Sequence, residues 1–137
     1  MSISSDYYKA IFHLSNYPGK ETDDALISFL HLDSDEQPIR IAQRKAIENL
    51  AKFNCQRAIP VIGSFLKSSD PYMVESAVIA LELLNCSDSK LNQLIVSLLD
   101  DPIQNRRVVI QYLGRLGLHD ELENVDLESA LSCIILM

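Results

Sequence analysis

The 137 residues suffice for one domain with a buried core, and at 47% apolar and 23% charged they have the balance of an ordinary globular chain. Twelve Lys and Arg against nineteen Asp and Glu leave a net charge of −7, which argues against nucleic-acid binding, because that affinity rests on neutralising phosphates with basic side chains. No apolar run reaches the roughly 20 residues of a membrane span, and the first seventeen residues lack the basic start and apolar centre of a secretory signal, so a cytoplasmic, reducing setting is expected.

Taken in chain order, a first helix is expected over residues 5–17, stacked on the amino end. Three helix pairs then follow, over 22–54, 56–85 and 88–117, with a partial unit at 118–137, all in one domain. The second helix of each pair begins near a proline: Pro38, Pro71 or Pro102. Asp70 and Asp101 precede the last two, where a carboxylate caps free amides and proline forfeits no bond. Each ends alike, at Phe53-Asn54, Leu84-Asn85 and Leu116-Gly117, and Asn and Gly tolerate the left-handed backbone that closes a helix. The last two steps, Asn54 to Asn85 and Asn85 to Gly117, are 31 and 32 residues.

Between those marks apolar residues fall at helical spacing: Ile39, Ala42, Ala46, Leu50; then Val74, Ala77, Leu81; then Val109, Leu113. Shorter helices precede them, with stripes at Leu26 and Leu30, at Ile62 and Leu66, and at Leu91, Ile95 and Leu98. No segment alternates as a half-buried strand does. The expected fold is all-α, an α-solenoid of about three to four antiparallel helix pairs.

The repeat register demotes the thiols. Cys55 and Cys86 each follow the capping Asn, so they are one structural position used twice. Stacked helices sit roughly 8–10 Å apart, beyond the Cα limit of about 7 Å for a disulfide. No Cys/His spacing suits a metal, so none is expected. His13, His31 and His119 are scattered and read as packing, helix-end and loop residues. No phosphate loop or Ser/His/Asp set appears.

Charge is more informative. Residues 38–69 hold six basic side chains and only Glu48, between acidic flanks. Arg40, Arg44 and Glu48 fall at i, i+4 and i+8 on one helix face. The repeat step carries Arg44 onto Glu75 and Arg107, so the three should lie side by side across adjacent helices. Two readings remain open: a ladder of inter-repeat salt bridges, each contributing about 0–1 kcal/mol when exposed, or a patch for anionic groups, since Arg pairs bidentately with carboxylates.

Arg57-Ala58-Ile59-Pro60 with Leu66 resembles the first helix of a HEAT repeat; Val74 through Ala77, Leu81 and Leu84-Asn85, and Arg106 through Gly117, resemble the second. Tetratricopeptide repeats have a similar length but require aromatic and glycine positions absent here. Tyr7-Tyr8-Lys9-Ala10, Asp24 through Leu30, the acidic Asp33–Glu36 loop, Ala46 through Leu50 and Ser68 through Ala77 together resemble the E-type subunit of the phycobilin lyase (E/F) family. That likeness implies a lyase or lyase subunit that assists attachment of a linear tetrapyrrole, bound as substrate and not as permanent cofactor, to a cysteine of a phycobiliprotein. The implied partners are a phycobiliprotein subunit and an F-type subunit. The second helices would line the concave, binding face. There Arg40, Arg44 and Arg107 would meet bilin carboxylates or an acidic patch, with Glu48, Glu75 and Gln111 beside them and the rings of Tyr72 and Tyr112 offering flat surface. The apolar end from Leu127 to Met137 suggests a partner chain or a second copy. The competing reading is a non-catalytic HEAT adaptor that binds a protein partner on the same face.

Overall fold

Proline starts and asparagine stops mark off helices that have just enough apolar surface to need a neighbour. The computed structural model describes residues 3–100 and 103–116, and among these there are seven α-helices and no strand. They are α1 (Ile3–Leu14), α2 (Lys20–Leu30), α3 (Gln37–Lys52), α4 (Ile59–Ser64), α5 (Pro71–Leu83), α6 (Ser89–Ser97) and α7 (Ile103–Leu116). Single 3₁₀ turns lead into α4 at Gln56–Ala58 and finish α4 and α6 at Phe65–Lys67 and Leu98–Asp100. Expectations at Asp101, Pro102, Gly117, His119, Cys133 and the 118–137 unit lie outside the described residues.

The helix ends follow local chemistry. The Asp70 carboxylate accepts from the Tyr72 amide at 2.9 Å, with Pro71 in the first turn. Asp88 does the same for Lys90 and Leu91 at the start of α6. Asn54 and Asn85 both sit at φ 54°, in the left-handed region. The Cys55 amide returns to the Leu50 carbonyl and Cys86 to Leu81, each at 3.0 Å. This six-residue closure wants an apolar residue at the returning position, and a small buried thiol meets that need twice.

The helices form two layers. In one, α1 packs on α3, α3 on α5 and α5 on α7; in the other, α2, α4 and α6 each back the long helix that follows. The expected solenoid of helix pairs is therefore the observed architecture, and α1 takes a place in the long-helix row. Ala42, Ala46 and Ala77 are fully buried, letting helix axes approach closely. Leu26, Leu50, Ile62, Leu81, Ile95 and Leu113 fill the seam between the layers.

Two buried amides join the rows. Gln43 donates to the Leu32 and Phe29 carbonyls at 2.8 and 3.3 Å, satisfying the end of α2. Asn49 donates to the Ile11 carbonyl at 2.9 Å, binding α1 to α3. Terminal helix carbonyls have no partner within their own helix, so each bond supplies a need the sequence creates.

Candidate functional site

α5 has only three polar side chains after its opening proline and tyrosine: Glu75, Ser76 and Glu82. One face, with Met73, Ala77 and Leu81, is core. The opposite face, Tyr72, Ile79 and Leu83, stands 63%, 41% and 62% exposed. A helix apolar on two sides expects something on both.

That open face forms one wall of a groove of about 480 Å³ running across α1, α3 and α5. Tyr8 comes from α1; Ile41, Arg44, Lys45, Glu48 and Ala51 from α3; Ser76, Ile79, Ala80 and Leu83 from α5. On α3 these positions recur at helical spacing opposite the buried Ala42–Ala46–Leu50 stripe. Lys45 leans toward α1, its Nζ 5.0 Å from the centre of the Phe12 ring, while Arg44 leans toward α5, its guanidinium carbon 5.4 Å from the Tyr72 ring. Glu48 sits a turn further on, paired with Lys45 at 3.2 Å. The result is an apolar trough crossed by two cations, each laid over an aromatic ring, with a carboxylate beside them.

The other expected site residues have different placements. Arg40 bonds Asp35 at 3.0 Å and the Ser68 hydroxyl at 3.3 Å, joining the loop before α3 to the loop before α5. Glu75 is half-buried, and Arg107 and Gln111 are exposed on α7. Arg44, Glu75 and Arg107 form no ion pair with one another, so the salt-bridge ladder through them is not formed. Tyr112 corrects the expectation of an open ring. It is fully buried beside Val109 and Leu113, its hydroxyl 2.7 Å from Asn92 Oδ1 and 3.3 Å from the Cys86 carbonyl. Burial first, then the neighbouring Cys86, pushes its phenol far above the ordinary range.

Tyr8, Ile41, Lys45, Ser76, Ile79 and Leu83 were not among the site residues expected from sequence. The signal was available: the 31-residue step that relates Arg44 to Glu75 also relates Ile41 to Tyr72, Glu48 to Ile79 and Lys52 to Leu83.

Outside the groove, Arg57 pairs with Asp24 at 2.6 Å and holds that carboxyl below its usual value. Burial and the neighbouring Asp23 push the Cys55 thiol up, the opposite of an activated nucleophile. Among the described residues no three His, Cys, Asp or Glu side chains converge as metal ligands, and no helix is long and apolar enough to cross a membrane.

A family model described as HEAT repeats matches residues 24–114. The bilin biosynthesis protein CpeY of Synechococcus sp. (strain WH8020) is 42% identical over 115 residues, covering 83% of this chain and 27% of that protein. An uncharacterized phycocyanin operon protein Y of Pseudanabaena tenuis (strain PCC 7409) is 38% identical over 109 residues, covering 80% and 26%. This chain thus spans about a quarter of the length of these curated relatives. Among solved structures, a chain in the complex of CpcE and CpcF of phycocyanin lyase from Nostoc sp. PCC7120 superimposes with a TM-score of 0.72 at 23% identity, over 97% of this chain and 58% of that one. It has the same fold. With two stacked layers of helix pairs, and a family match over most of its length, the chain belongs to the HEAT-repeat family.

Proposed function

We propose that the chain is a phycobilin lyase-like factor, or a segment of a lyase subunit, that seats a linear tetrapyrrole in the α1–α3–α5 groove for attachment to a phycobiliprotein cysteine. The observation that carries this reading is the groove's composition. A tetrapyrrole is a long conjugated apolar body with two propionates and a row of N–H donors. Ile41, Ile79 and Leu83 match the body, Arg44 and Lys45 the propionates, and the Glu48 carboxylate accepts from pyrrole N–H groups. A groove of about 480 Å³ falls within the usual small-molecule range of roughly 300–1,000 Å³. The names of the relatives, bilin biosynthesis and phycocyanin operon proteins, point to the same ligand class.

The attachment asks little of the chain's own chemistry. The acceptor thiol adds across an exocyclic carbon–carbon double bond of the pigment: a C–S bond forms, the π bond opens, and the thiol proton ends on the neighbouring carbon. Such an addition is accelerated by holding the two reactants in register, which a groove does without a nucleophile of its own. The solved relative is a complex of two lyase proteins, which supports an F-type partner for this chain as well.

The test is a titration of the purified chain with free bilin, read as a shift in the visible absorption band. The wild type should bind stoichiometrically, and the Arg44→Glu/Lys45→Glu variant should lose about tenfold or more in affinity, since each reversed charge meets a propionate. A wild type that leaves the band unmoved defeats the pigment reading and leaves the non-catalytic adaptor.

A further inference from the structure

The four helices of the long-helix row, α1, α3, α5 and α7, carry eight basic and four acidic residues, net +4. The remainder of the chain carries four basic and fifteen acidic residues, net −11. A strongly acidic protein therefore concentrates positive charge on one row of helices. Within that row the sign is organised. α3 and α7 are each net +3, and α5 between them is net −2 and apolar on its open side. On α3, the charges of Arg44, Lys45 and Glu48 belong to the groove. Those on α7 do not: Arg107, Gln111 and Arg115 recur at i, i+4 and i+8, all exposed, on the side of α5 away from α1. Gly114 lies among them with open space where a side chain would stand, leaving the backbone approachable.

We propose that α7 and the adjoining edge of α5 dock an acidic protein surface with an apolar ridge, which is the acceptor subunit, and that pigment and acceptor meet over α5. The acids of the partner pair with Arg107 and Arg115, and its ridge covers Tyr72, which stands exposed outside the groove lining. Charge complementarity selects a protein here, not a nucleic acid. Glu75 and Glu82 stand between the two basic rows, where a phosphate chain would meet like charge, and phosphates give Tyr72 nothing apolar to bury against. The placement also suits the proposed reaction, because a pigment held toward α1 and an acceptor held toward α7 approach each other across the apolar open side of α5.

Naming the acceptor rests on the proposed function; the basic docking face on α7 does not. The experiment follows the full chain binding an unpigmented phycobiliprotein subunit by stopped flow or surface capture, at low and at physiological salt, alongside the bilin titration. The wild-type association rate should fall as salt rises. Arg107→Glu/Arg115→Glu should slow it about tenfold, the lower end of what electrostatic steering supplies, with bilin affinity unchanged. Arg115 also lies over the Tyr112 ring, so Arg107→Glu alone is the second variant, expected to show the same effect in part. A rate indifferent to salt and to both variants overturns the proposal. So does tighter binding of single-stranded RNA than of the subunit, or no association at all with the subunit. Charge-dependent subunit binding without any bilin shift would leave the docking face standing and remove the pigment reading.

Discussion

Cys55 and Cys86 show how a single position acquires its residue. Each follows an asparagine in the left-handed conformation, returns its amide to the helix just ended and buries its sulfur, 6% and 1% exposed. In a Cys133→Ser background both thiols should therefore resist a small alkylating reagent at pH 8 and react fully only in denaturant; rapid labelling of either in the folded chain would contradict this placement. The pH dependence has a definite sign. Burial and Asp23 raise the folded-state pKa of Cys55 above its unfolded value, so its contribution to stability is complete at neutral pH and is lost as pH climbs through and beyond the ordinary thiol range near about 8.5. Register alone revealed these cysteines as structural. Tyr112 was not legible in the same way. A tyrosine suits a surface or a core equally if its hydroxyl finds a partner, and the partner, Asn92, lies on a different helix, α6.

At the scale of elements, the starts and stops were legible because proline, Asp and Asn act within a turn of themselves. That α1 joins the long-helix row was not, because its seat depends on a bond between residues 38 positions apart. Replacing Asn49 by Ala leaves the Ile11 carbonyl buried without a donor, at a cost of about 1–3 kcal/mol. The loss should be local: amide exchange in α1 accelerates while the amides of α5 and α7 keep their protection, since each helix of a solenoid leans on its neighbours alone. Because Tyr8 and Phe12 flank the groove from α1, the same variant should also weaken bilin binding; uniform loss of protection along the chain would refute the local account. The second apolar stripe of α5 was written in its composition all along, but a stripe declares a missing partner only once its other side is seen to be filled.

Over the whole molecule, the repeat fixed which helices stand side by side but not which side chains touch. Arg44, Glu75 and Arg107 do occupy matching positions on successive helices, yet Arg44 turns to Tyr72, and Lys45 reaches across to Phe12. Such choices are settled between helices, where a cation over a ring contributes about as much as an exposed ion pair, roughly 0.5–1 kcal/mol, and shape decides. The placement of those rings has an optical consequence. The chain has no tryptophan and five tyrosines, so its intrinsic emission is tyrosine emission alone. Tyr8 and Tyr72 flank the groove while Tyr112 is sealed in the core. A tetrapyrrole lying between them would drain their excited states, and the quenching should saturate in step with the visible band. Tyr8→Leu and Tyr72→Leu should each remove part of that signal, and a chain whose ultraviolet emission ignores the pigment would place the chromophore somewhere other than this trough.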